Sequence, residues 1–330
     1  MKGSATFVLA LLLASQLHAG KPLGDDAFGA LRAMEPLQST VEPIGERWEP
    51  RVGEVIAFLG GTNVEQEQFG GHFEALLHLA WPGKKLQCRN LAWQADTVYR
   101  QQRPLYFYDS ENRDQRPGST HDTRKRVQPD TIFVRFGKLE SLDGMDALPQ
   151  FREVYGKMLD ALMEITPRVI VVTPTPFFET GPAAQLAEER NRVLVSYCMA
   201  IAELSGERDL FFADLYQFEP DRAYSTNGIH LNEAGKEAIA ERLVMQVTNR
   251  STDIDWSSTV SLRSVIQRKN QIWYQYFRPT NWAFLYGDRQ HVPSSRDHED
   301  SEKRWFPFEL ERALPMITKL EMQIYEMANP

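Results

Sequence analysis

Two residues three apart, Asn227 and His230, stand in the polar stretch "AYSTNGIHLNEAGKEAIAERL" (Ala223 to Leu243), where a turn runs into a helix. A neutral imidazole in such a turn can take a proton from a hydroxyl if a second group holds the ring. A carboxylate would hold it and stabilise the imidazolium, but Asn227 offers an amide. The apolar run "EVIAFL" (Glu54 to Leu59) ends in the pair Gly60-Gly61, a turn that opens another loop. Part of the histidine segment has a structural explanation, since Asn227-Gly228 is a turn pair and Asn232-Glu233 a helix start. Neither feature requires a histidine at 230.

The other chemistry-bearing residue types do not assemble into sites. His72 and His78 are six apart on one helix and do not face one metal ion. Nothing in the chain has zinc-type or phosphate-loop spacing, so no metal and no cofactor is expected. The two cysteines, Cys88 and Cys198, fall in a strand-like and a helix-like run and are expected as buried free thiols rather than a bridge. The net charge of −8 argues against nucleic acid as a partner, and the short run "TRKR" (Thr123 to Arg126) reads as a solvated loop.

These residues need a scaffold, and the pattern of the chain provides one. Apolar runs at "EVIAFL", "KLQCRNLA" (Lys85 to Ala92), "DTIFVRF" (Asp130 to Phe136), "RVIVVTP" (Arg168 to Pro174) and "DLFFADL" (Asp209 to Leu215) read as strands. Most are followed by a segment of helical period, the first being Gln66 to Trp81. Near-continuous apolar strands alternating with helices predict an α/β fold with a doubly wound parallel sheet of five strands. In such folds the site lies beyond the carboxyl ends of the strands. That rule selects the loops 60–65, 92–96, 137–141 and 225–230.

The ends of the chain differ from its middle. Residues 1–19 read as a signal peptide, with Lys2, an apolar stretch from Phe7 to Leu13 too short to span a bilayer, and Ala19 at the cleavage site. The expectation is therefore an exported protein, periplasmic or extracellular, with no membrane span once mature. Residues 20–52 are Pro-rich and polar and read as a linker before a domain at 53–250. The polar segment 103–130 reads either as a surface insertion or as a flap over the site. Residues 251–330 carry four of the seven tryptophans, Trp256, Trp273, Trp282 and Trp305, and read as a helical, aromatic-rich extension with helices near 260–277 and 306–326. Its aromatic and Arg residues suit either packing on the sheet domain or a sugar-binding rim.

Taken together, "FLGGTN", "NLAWQADT", "FGKLES" and "NGIHLN" resemble the four sequence blocks of the SGNH/GDSL hydrolase family, over roughly residues 55–248. The resemblance implies a flavodoxin-like three-layer sandwich and a Ser-His-Asp site with a Gly N–H and an Asn side chain facing the oxyanion. Residue by residue, it places Thr62 at the nucleophile, Ala95 at the oxyanion Gly, Leu139 at the oxyanion Asn, Asn227 at the Asp and His230 at the base. Thr62 and Ala95 would supply the oxyanion hole through their backbone N–H groups, and Asn63, Glu65, Trp93 and Trp282 would line the substrate cleft. The closest likeness is to a subgroup of large secreted bacterial GDSL-like proteins that is similar in Gly-Gly-Thr, in "NGIHLN" and in a carboxy-terminal "RPTNW…YGxR" segment. The implied substrate is an acyl or acetyl ester, of a small molecule or a glycan. Asn227 and Leu139 weaken the implied catalytic set, so weak or no turnover is expected by the standard route. Two other readings remain open: a non-catalytic module binding a glycan or protein, and a hydrolase pairing Glu140 or Glu65 with His230.

Overall fold

The computed structural model describes residues 41–101, 127–219, 221–250, 254–280, 282–285 and 289–329. The expected signal peptide and most of the 103–130 insertion lie outside the described residues. Five strands form one sheet: β1 (Val55–Gly60), β2 (Gln87–Asn90), β3 (Thr131–Arg135), β4 (Val169–Val172) and β5 (Phe211–Ala213). They lie in the order β2-β1-β3-β4-β5, and every neighbouring pair is parallel. A strand covered on both faces needs apolar side chains at successive positions, and "VIVV" of β4 is buried throughout.

The helices are α1 (Thr62–Glu65), α2 (Glu67–Gly70), α3 (His72–Ala80), α4 (Leu148–Met163), α5 (Ala187–Gly206), α6 (Glu233–Thr248), α7 (Val260–Phe277), α8 (Trp282–Leu285) and α9 (Trp305–Ala328). Alternation along β1 and β3 divides the core in two. Ala57, Leu59, Ile132 and Val134 face Phe151 and Tyr155 of α4, Tyr197 of α5 and Trp273 of α7. Ile56 and Phe133 face Leu76 of α3 and Ile239 and Val244 of α6 on the other side. This is the doubly wound five-stranded α/β fold that the strand pattern predicts, with a helical carboxy-terminal region.

Two local expectations change. The helix expected over 66–81 is broken at Gly71, which takes φ 67° between α2 and α3. A Cβ there would also come within 2.9 Å of Ile266 of α7, so the break lets α7 approach closely. The linker expected over 20–52 contributes to the core before it ends. Trp48 is fully buried, its backbone N–H donates to Val247 O at 2.8 Å, and its indole N–H donates to Glu54 at 3.2 Å.

Of the carboxy-terminal aromatic and Arg residues, expected either to pack on the sheet domain or to line a sugar-binding rim, several pack. Trp273 donates its indole N–H to Asn90 O at 2.8 Å. Arg278 is buried, donates to Leu91 O at 3.1 Å and lies 3.7 Å from Asp96, with Trp93 and Phe277 against its guanidinium. Trp93 itself stacks on Tyr274 of α7, centroids 5.4 Å apart. These contacts brace the loop that follows β2. Cys88 and Cys198 are both buried and free, as expected.

Candidate active site

The carboxyl ends of the strands deliver the expected blocks to one cleft of about 280 Å³. Its walls include Thr62 and Asn63 after β1, Ala95 and Asp96 after β2, Lys138 and Leu139 after β3, Thr175 after β4, and His230 after β5. Gly60 allows this convergence, because a Cβ there would lie 2.6 Å from the Arg135 carbonyl of the neighbouring strand.

Thr62 opens α1 with its hydroxyl under the loop after β2. The Ala95 N–H donates to Thr62 Oγ1 at 3.1 Å. Ala95 holds this position at φ 60°, a left-handed conformation that costs a residue with a Cβ on the order of 1 kcal/mol. The resemblance places a glycine at 95, and the alanine takes a left-handed conformation of the kind that favours glycine. Asn90 secures both partners: its amide donates to Val64 O at 2.7 Å and its Oδ1 accepts from Ala92 N at 3.0 Å.

His230 is held differently from expectation. Asn227 does not meet the ring; its Oδ1 accepts the backbone N–H groups of Ile229 at 3.0 Å and His230 at 2.8 Å, closing the turn in which Gly228 takes φ 82°. A short amide bonding its own backbone two and three residues on is the usual turn behaviour of asparagine. The ring partner is Asn63, whose Oδ1 lies 3.1 Å from His230 Nδ1. The other end of that amide donates to Ile229 O at 3.4 Å, which fixes which end faces the ring. An amide oxygen can only accept, so Nδ1 carries the proton and Nε2 keeps its lone pair. That is the tautomer a general base requires.

Neither acid expected as a substitute reaches the imidazole. Glu140 lines the cleft, but its two carboxyl oxygens accept from Val98 N at 2.7 Å and Gly137 N at 2.8 Å. Burial raises its carboxyl above the usual range, and those backbone bonds only partly offset the rise. Glu65 is buried at the end of α1 and does not line the cleft; burial raises its carboxyl as well. Trp93 is likewise absent from the cleft wall, being the brace described above. The side chain of Trp282 lies outside the described residues. Leu139 stands at the mouth, 43% exposed, and offers no donor.

Sequence reasoning missed Lys138. Its part-buried amine donates to Thr175 Oγ1 at 3.3 Å, Pro176 O at 3.0 Å and Ile229 O at 3.2 Å. Burial, and secondarily the nearby Arg135, pull this amine down to about 7. Burial and then Lys138 lower His230 below its ordinary value, which favours the neutral ring. The signal available in the sequence was its place between Gly137 and Leu139 in the third block.

Among the described residues, Glu74, His78 and Cys88 are close enough together to hold a metal ion. Lys269 fills that role electrostatically, its Nζ lying 2.7 Å from Glu74 Oε1 and donating to Cys88 O at 3.1 Å.

The GDSL-like lipase/acylhydrolase family matches residues 70–238, which include Ala95, Leu139 and His230 and begin after Thr62. Several solved structures are similar in fold. A variant of Axe2, an acetyl xylan esterase from Geobacillus stearothermophilus, is 14% identical, with 62% of this chain and 99% of that one covered at a TM-score of 0.46. LAE5, an alpha/beta hydrolase enzyme from the metagenome of Lake Arreo, Spain, is 14% identical, with 62% and 98% covered at a TM-score of 0.45. No curated protein matches the chain.

Proposed function

Because the chain belongs to the GDSL-like lipase/acylhydrolase family, we propose that it is a slow ester hydrolase with Thr62 as nucleophile and His230 as general base. One arrangement carries this reading: Thr62 Oγ1 sits under the Ala95 N–H, while the next residue, Asn63, holds His230 with Nε2 unprotonated. Thr62 Oγ1 attacks the ester carbonyl as Nε2 takes its proton. The N–H groups of Ala95 and Thr62 face the oxyanion, and the imidazolium returns the proton to the leaving alkoxide. Water then releases the acid from the acyl-threonine by the same steps.

Three features make the reaction slow. Leu139 supplies no oxyanion donor, a loss of about 10² to 10³ in comparable sites. Asn63 is neutral and stabilises the imidazolium less than a carboxylate does. The Thr62 methyl restricts its rotamer. The cleft volume suits a short acyl or acetyl ester of a small molecule or glycan. We read the protein as exported on the strength of Lys2, the Phe7 to Leu13 stretch and Ala19. Among the described residues no helix is long and apolar enough to cross a membrane.

Purified protein is expected to hydrolyse 4-nitrophenyl acetate slowly above background, and His230→Ala to return the rate to background. Equal rates in the two proteins would overturn the assignment. A second reading, a cleft that binds esters without turning them over, is favoured by the exposed apolar mouth of Leu139 and Leu142. Saturable binding of a short ester with no acid released would establish it.

A further inference from the structure

We propose that Lys138 is a positioning residue for His230, its ammonium locking the Ile229 carbonyl and so placing a positive charge on the backbone one residue before the ring. The inference rests on the hydrolase reading for its consequence in catalysis, but its geometry is independent of turnover.

The Ile229 carbonyl, immediately before His230, is a junction. It accepts from Lys138 Nζ at 3.2 Å, in the loop after β3, and from Asn63 Nδ2 at 3.4 Å, in the loop after β1. The Asn63 bond is the one that points the amide oxygen at Nδ1. A cation on the same carbonyl therefore holds the backbone against which both Asn63 and the ring are set. The remaining donors of the amine go to Thr175 and Pro176 after β4, so one side chain ties three strand ends together. The rings of Phe177 and Phe178 lie 4.8 and 5.5 Å from it, giving apolar and cation–π contact in place of water.

The surrounding charges leave Lys138 free to act on His230. From β3 itself comes Arg135, a second cation lining the cleft. Glu140, in the following turn, gives both oxygens to backbone N–H groups. From α5 comes Cys198, whose thiol burial pushes far up, so that it stays neutral; Asp214 beyond it bonds Thr173 and Tyr216. From the last loop comes His230. Among the described residues no carboxylate pairs with Lys138, so its charge is met only by neutral dipoles and is felt at the imidazole. Burial lowers both groups below their ordinary values, and the charge on Lys138 further disfavours the imidazolium.

The test is the ring titration of His230, followed by NMR in the intact protein and assigned by its loss in His230→Ala. Removing a like charge favours the imidazolium, so Lys138→Met should raise the ring pKa by roughly one pH unit. Lys138→Gln, neutral but able to donate, should raise it similarly, and guards against a Met variant that does not fold. Lys138→Arg, which keeps the charge, should leave it within a few tenths of a unit of wild type. An unmoved titration in both neutral variants, or an Arg variant that moves as far as they do, would overturn the proposal. In hydrolysis the acidic limb of the rate profile should move to higher pH in the neutral variants. A moved ring titration with no wild-type hydrolysis would sink the hydrolase reading and keep the role of Lys138. Hydrolysis with an unmoved titration would do the reverse.

Discussion

Leu139→Asn is expected to raise the rate of ester hydrolysis by about 10²-fold. The position lies in the turn that Glu140 pins through the N–H groups of Gly137 and Val98, so an amide placed there would be presented by a fixed backbone. The leucine is exposed at the cleft mouth, and replacing it removes little buried apolar surface. Adding Asn63→Asp should bring roughly a further tenfold, because a hydrogen bond from the imidazolium to a carboxylate is stronger than one to an amide. That gain is smaller than the ~10⁴ that separates amide from carboxylate in a Ser-His-Asp triad, where the amide also imposes the wrong tautomer. Here Asn63 spends its N–H on Ile229 and leaves the ring correctly protonated. Steady-state kcat on 4-nitrophenyl acetate measures both effects. No gain in either variant would mean that the cleft does not present an ester to Thr62.

Glu74→Ala should lower folding stability by about 3–5 kcal/mol, because it leaves the Lys269 ammonium buried without its partner. Glu74 Oε1 lies 2.7 Å from Lys269 Nζ, and Asn270 donates to its Oε2 at 3.2 Å. Burial pushes this carboxyl up, but Lys269 and His78 outweigh it and hold it at about 2, below its ordinary 4.5. A depressed carboxyl contributes stability at pH values above 4.5 and loses it as pH falls towards 2. Wild type should therefore weaken across that range, and the alanine variant should show a flatter dependence. Urea unfolding at several pH values reads both quantities. A loss below about 1 kcal/mol, as for a surface pair, would show that the pair is solvated. The bond also matters to the site: α7 carries Lys269, Asn270 and Trp273, and Arg278 follows it to brace the loop bearing Ala95.

The sheet was legible in the sequence because β1, β3 and β4 are near-continuous apolar runs bounded by turn residues. The α7 boundaries were legible for a related reason, a continuous helical period from Val260 to Phe277. What escaped was tertiary. The helix break at Gly71 depends on how closely Ile266 approaches, and the burial of Trp48 depends on the Val247 carbonyl and on Glu54, distant in the chain or invisible in local pattern. In the site, Thr62, Ala95, Leu139 and His230 fall on loops after strands the pattern marked, and the structure brings those loops to one cleft. The ring partner was not, because Asn227 and Asn63 are equally plausible amides until the turn at Gly228 consumes the first. Lys138 was hidden because a lysine in a loop ordinarily points to water, and only the packing of Phe177, Pro176 and Ile229 turns its amine inward.

The direct test of the account is covalent trapping. A fluorophosphonate forms a phosphonyl ester with an activated hydroxyl, releasing fluoride, and peptide mass spectrometry locates the adduct. The account predicts an adduct on Thr62 that is lost in His230→Ala. No adduct on Thr62, or one that forms equally without His230, would contradict it.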